Sequence, residues 1–310
     1  MTIAGGLSEK GLYSREFEPN VVPPSLADAL LASSGAASAK RADTSSGHNR
    51  SEQPLPTDWI FTPRPNSKAS VRLILVPDAG GSVSALRDWS ERLPAVNVGC
   101  VQLPGRGDRL HERPVESVQE AARHIADAIG AGTGSPTVLF GHGLGALIAF
   151  ETARRLQARH WPMLALFVSG RAGPAVGTPA PRLSDLPFDQ LVVELRQRHV
   201  LPSELLSNPD AMRLVLHVLR ADVALAEEYR YEPAHPLGCP IVACDAPADP
   251  HASRSGVEDW KQETTARFSI HRFGGDRSYI HREREALTAL IRNHVSVMMG
   301  ALARSAPMPR

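Results

Sequence analysis

The stretch Thr137–Leu156, TVLFGHGLGALIAFETARRL, sets a cluster of glycines between a β-rich run and an amphipathic one. Two chemistries use glycines at this spacing. Gly141, Gly143 and Ala146 fit the G-x-G-x-x-A turn, in which the backbone approaches a dinucleotide pyrophosphate at a helix N-terminus. Gly141-His142-Gly143-Leu144-Gly145 also fits the sharp strand-to-helix elbow G-x-S-x-G, which projects a nucleophilic serine from a sheet, with glycine where serine belongs. Other titratable candidates are His142 within this stretch, Asp78 in PDAGG, Asp249 in APADP, Asp276 in FGGD, and His271 and His281 near the C-terminal end.

The elements around these residues alternate. VRLILVP (71–77) is an apolar run of buried-strand length ending at Asp78-Ala79-Gly80-Gly81. A helix with Leu86, Trp89 and Leu93 on one face follows, then a strand VNVGCVQL (96–103) that ends at PGRG. Ser117-Val118-Gln119-Glu120 is a capping box that opens a helix to about Ile129. The strand TVLF, a helix from about Leu144 and the strand LALFVSG (164–170) continue the pattern. Strand and helix in alternation predict a parallel sheet covered on both faces. Between about 183 and 232 the apolar residues recur at three-and-four spacing, which predicts an all-helical lid inserted over the sheet's carboxyl edge. CPIVACDAP (239–247) and RFSIHRF (267–273) return to strand character, and a helix closes near Met299. Residues 1–55 are expected to form a disordered tail, with a short amphipathic stretch at Ser25–Ser33; the ordered domain is expected over 56–302, and 303–310 as a second tail.

Composition excludes several classes. Of 310 residues, 42% are hydrophobic and 22% charged, as in ordinary globular proteins. The 34 Lys and Arg nearly balance the 33 Asp and Glu, and no basic stripe points to nucleic acid. No stretch of about 18 apolar residues would span a membrane. Cys100, Cys239 and Cys244 suit neither a disulfide framework nor a zinc site and are expected to be buried thiols. No secretory leader is recognisable, so a cytoplasmic protein without metal or cofactor is expected.

The position of the glycine turn separates its two readings. A dinucleotide turn belongs in the first strand-helix unit, with an acid about 20 residues on. Here two units precede it, and HWPMLALFVSG contains no acid. An elbow that follows several strands, with an oxyanion loop after an earlier one at 78–81, has the order of an α/β-hydrolase.

PDAGGSVSALRDWSERLP, VQLPGRGDRL, LFGHGLGALIAFETARRL, LFVSGRAGP, VLRADVALAEEYRYE and CPIVACDAPADP together resemble the type II thioesterases of polyketide and nonribosomal peptide assembly lines. The resemblance runs from about Trp59 to Met299. It implies an α/β-hydrolase fold, a mostly parallel sheet with a helical lid. It also implies a Ser-Asp-His triad acting on acyl groups carried by the phosphopantetheine arm of an acyl or peptidyl carrier protein. In this chain Gly143 stands at the nucleophile position, Asp249 matches the acid, and Asp276 falls where the family's GGH block has histidine. An unperturbed aspartate is about three units too acidic to serve as that base. His281 or His271 could replace a histidine, but neither replaces a nucleophile.

The backbone N–H groups of Leu144 and Ala79 are the expected oxyanion donors and need no side chain at 143. Three outcomes stay open at this point: a binding protein without hydrolysis, a catalyst of cyclisation, epimerisation or elimination with Asp78, His142 or Asp276 as base, and weak hydrolysis by water. Plainer roles also fit: His142 as a packing residue, Asp78 as a loop cap, Asp249 as a turn residue and Asp276–Arg277 as a surface pair. Arg106 and Arg109 would either brace their loop or position phosphopantetheine.

Overall fold

The computed structural model describes residues 59–305, apart from 84–87, 133, 178–181, 198–208 and 250–251. The expected N-terminal tail, its helix at Ser25–Ser33 and the last residues 306–310 lie outside the described residues, as does Leu86 of the first expected helix.

Seven strands form one sheet: β1 Ile60–Phe61, β2 Arg72–Val76, β3 Asn97–Val101, β4 Thr137–His142, β5 Met163–Ser169, β6 Ile241–Asp245 and β7 Phe268–Arg272. Their spatial order is β1-β3-β2-β4-β5-β6-β7, and only β1 pairs antiparallel. Every residue of β4 is buried, which explains its unbroken apolar sequence: both faces of a parallel sheet are covered by helices.

Among the described residues, the helices of ten or more residues are α1 Val118–Gly130, α2 Leu144–Ala158, α3 Phe188–Gln197, α4 Pro209–Glu228 and α5 Arg284–Ser305. Ser117 caps α1 by accepting the Glu120 amide at 3.1 Å, while the Glu120 carboxylate accepts from Glu116 N–H, one residue before the cap. One sheet face packs on α1 and α2 through Ile125, Ile129, Leu147 and Phe150; the other packs on Trp89, Leu93 and the α5 residues Leu287 and Ile291. Helix α5 runs to Ser305, so residues 303–305 continue the helix where a tail was expected.

The lid is the helical insertion between β5 and β6, and it has a core of its own built from Leu183, Leu191, Leu195, Leu216 and Leu219. Ala79, on the loop after β2, packs against both this core and that of the sheet. Lid and sheet cores therefore meet at this loop. Cys100, Cys239 and Cys244 are buried free thiols. Among the described residues, no helix is long and apolar enough to cross a membrane.

Candidate active site

Five parallel strands end at the same sheet edge, the usual place for a site in such a sheet. Asp78 follows β2, Gly143 follows β4, Gly170 follows β5, Asp249 lies in the loop after β6 and Arg277 in the loop after β7. The chain turns from β4 into α2 through Gly143 at φ 55°, ψ −116°, a conformation that side-chain-bearing residues adopt only under strain. The flanking glycines are required by packing. A β-carbon on Gly141 would overlap the backbone of Gly145 and Ala146, and one on Gly145 would overlap the carbonyl oxygens of Val76 and Pro77. The glycines thus let strand and helix approach one another at a sharp elbow.

The space in front of Gly143 is occupied. A β-carbon built there would overlap Asp78 Oδ1 and Arg277 Nη2. Leu144 N–H, an expected oxyanion donor, donates to Asp78 Oδ1 at 2.8 Å. Arg277 donates to Asp78 Oδ2 through Nε at 3.1 Å and Nη2 at 2.5 Å, and to the Gly170 carbonyl through Nη1 at 2.9 Å. The same Nη1 is 3.7 Å from Asp249 Oδ2. Asp78 therefore caps α2 from a neighbouring strand, placing a carboxylate at the positive end of that helix. Burial pushes its carboxyl group up, but the Arg277 charge and the hydrogen bonds outweigh burial and hold it at about 2. Asp78 is ionised throughout the physiological range.

The His142 ring enters a buried chain of hydrogen bonds. Its Nδ1 is 2.8 Å from Ser169 Oγ, which is 2.5 Å from the Tyr279 hydroxyl. Tyr279 donates to the Cys244 carbonyl at 2.9 Å. That last bond fixes the proton order: Ser169 donates to Tyr279, and His142 Nδ1–H donates to Ser169. Burial and then the Arg277 charge push the imidazole down to about 3, so His142 is neutral and a weak base. The plain packing role describes it better than catalysis.

Matching to the family block placed Asp276 at the histidine position, but the loop after β7 presents Arg277 to the elbow instead. Asp276 Oδ1 accepts from Ser278 N–H at 2.9 Å, Ser278 Oγ–H at 2.6 Å and Arg282 Nη2 at 3.1 Å. The expected surface pair between Asp276 and Arg277 is corrected accordingly: Arg277 is buried and pairs with Asp78. His281 lies on the short helix Tyr279–Arg282, with Nδ1 accepting from Arg284 at 3.3 Å. Of the expected site residues, Asp78, Gly143, Leu144 and Asp249 come together around Arg277, which sequence reasoning missed. One signal pointed to it. The acids at 78 and 249 both follow strands that end at one sheet edge, and they need a cation between them.

Both arginines of PGRGDR brace structure. Arg109 donates to the Gln102 carbonyl and Glu112 and lies 4.4 Å over the Trp59 ring. Arg106 forms two 2.7 Å bonds to Asp222 of α4.

A parallel sheet, an elbow after β4 and a lid between β5 and β6 together describe an α/β-hydrolase, and the thioesterase-domain profile matches residues 71–295. The chain belongs to the thioesterase-domain family. Similar proteins include the thioesterase PikA5 of Streptomyces venezuelae, 36% identical over 81% of this chain and 91% of the relative. The linear gramicidin dehydrogenase LgrE of Brevibacillus parabrevis is 33% identical over 76% of this chain and 92% of its own length. Among solved structures, the type II thioesterase BorB from the borrelidin biosynthetic cluster is 33% identical, with a TM-score of 0.72 over 76% of this chain and 97% of BorB. Within this thioesterase domain the elbow keeps its backbone shape. The space in front of Gly143 and the Leu144 N–H are taken up by a carboxylate-guanidinium pair from the same chain.

Proposed function

We propose that this thioesterase-family protein serves polyketide or nonribosomal peptide biosynthesis by binding acyl groups tethered to a carrier protein, without hydrolysing them through an acyl-enzyme. One observation carries this reading: Asp78 and Arg277 fill the volume of the missing serine and engage the Leu144 amide. A thioester carbonyl seated there would meet an ionised carboxylate in place of a donor, and like charges repel a developing oxyanion. The names of PikA5 and BorB support the biosynthetic setting. The dehydrogenase name of LgrE raises the dinucleotide reading again, but here the elbow glycines answer to strand-helix packing, which supports the acyl reading. No observation favours a repurposed base, since Asp78 is paired with Arg277, burial leaves His142 too weakly basic and Asp276 is turned into its own loop.

Incubation of the full chain with acyl-carrier proteins bearing varied acyl thioesters tests the proposal. Binding is expected, with thiol release at the rate of a buffer blank and unchanged acyl mass. Protein-dependent thiol release, an altered acyl mass or absence of binding would overturn it.

A further inference from the structure

A buried ion pair also lies outside the elbow. Asp222, on lid helix α4, and Arg106, in the loop after β3, are only 1% and 4% exposed. Both Asp222 oxygens accept from Arg106 at 2.7 Å, and Oδ2 also accepts from Gly80 N–H at 2.7 Å. Arg106 Nη1 reaches the Gly81 carbonyl as well, at 3.2 Å. One carboxylate and one guanidinium thus hold a backbone donor and a backbone acceptor of the loop that carries Asp78.

Packing reinforces the link. A β-carbon on Gly80 would stand 2.8 Å from Leu219 Cδ1, one turn before Asp222 on α4, so the helix rests directly on the loop. The loop closes on itself through Gly81 N–H to the Asp78 carbonyl at 2.8 Å. Asp78 to Gly81 therefore moves as a unit, with the lid at one end and the Leu144 amide at the other.

We propose that Asp222 is a positioning residue carried by the lid. Through Arg106 and the Gly80 amide it fixes the 78–81 loop, and so it determines whether the Asp78 carboxylate covers the Leu144 N–H. A displacement of α4 withdraws Asp78 from the elbow. This coupling concerns the free protein and holds whether or not the site binds acyl thioesters.

Amide hydrogen exchange on the full chain, without ligand, reads the coupling directly. Asp222→Asn is expected to raise exchange at least tenfold in peptides covering residues 79–81 and 144–146. The control is Glu227→Gln on the same helix. Glu227 accepts from the Leu183 and Ser184 amides, and its loss loosens the lid's own 183–184 contact without touching the loop. It is expected to raise exchange around 183–184 and leave 144–146 unchanged. If Asp222→Asn does not fold, Arg106→Lys supplies the same readout, because lysine retains the charge but cannot hold Asp222 by two bonds and Gly81 together. Exchange at 144–146 that stays at the wild-type rate while α4 loosens, or that rises equally in Glu227→Gln, would overturn the proposal.

Discussion

Gly143→Ser restores the residue type of the elbow, and the structure gives its cost. The backbone at φ 55°, ψ −116° strains any side-chain-bearing residue by about 1–3 kcal/mol. The new β-carbon meets the ends of two side chains, Asp78 Oδ1 and Arg277 Nη2, which rotate aside more readily than backbone would. Moving them breaks the charge-assisted bond from Leu144 N–H, worth about 1.5–3 kcal/mol. Arg277 retains Asp249 at 3.7 Å, so its charge is not stranded. The total is roughly 2.5–6 kcal/mol, or a melting temperature lower by roughly 5–24 °C at about 2–4 °C per kcal/mol. Adding Asp78→Gly removes the displaced carboxylate, so the double variant is expected to lose less stability than the sum of the single ones. Thermal melts of the four proteins measure this coupling. Neither serine variant is expected to release thiol from an acyl-carrier substrate, since Arg277 cannot accept the serine proton. A Gly143→Ser protein melting within about 1 °C of wild type would show that the elbow volume is free. Turnover in that variant would show that some base reaches it.

Three further outcomes follow from the site. Gly145→Ala drives a β-carbon into the Val76 carbonyl, part of a strand that cannot yield, so a loss above about 4 kcal/mol or no folded protein is expected by urea titration. His142 has a folded pKa of about 3 against 6.5 unfolded. Below pH 6.5 only the unfolded chain gains this proton, so stability present above pH 6.5 falls by up to roughly 1.4 kcal/mol per unit toward pH 3. His142→Asn should flatten that slope between pH 6 and 5 in denaturant titrations; an unchanged slope would place the uptake elsewhere. Tyr279→Phe removes the acceptor of the buried Ser169 hydroxyl proton and one of the two donors to the Cys244 carbonyl, and should cost about 1–3 kcal/mol, measured by the same titration.

The strands and the lid were legible because their signals are local. The run around Leu139 and Phe140 has no alternation because both faces of β4 are covered, and α4 shows its three-and-four spacing because it lies over a core. The two-residue β1 left no such signal. The elbow at Gly143 was legible too, since its flanking glycines fix the register of the turn. Arg277 was not, because it turns on a one-residue choice inside a loop. Gly275 at φ 79° bends the chain, Asp276 closes on Ser278, and the next side chain points inward. The Arg106–Asp222 pair joins residues 116 apart in sequence, and no spacing rule relates them.

On the proposed reading, the composition of the plug also bears on why a working Ser-His pair cannot be installed by one change. Asp78 and Arg277 answer three demands of the site: they fill the space in front of Gly143, satisfy the Leu144 amide and neutralise Asp249. A serine alone meets the first demand and dislodges the group that meets the second. A histidine at 277 would be a shorter cation, or none at neutral pH, and would leave Asp78 charged beside the helix amide without its guanidinium partner. Removing Asp78 frees the amide but leaves Arg277 in the cavity, held by the Gly170 carbonyl and Asp249. Each single step leaves an unmet polar group in a largely buried site, at a cost comparable to the bond it replaces. The three positions are therefore coupled, and a functional triad requires 78, 143 and 277 to change together.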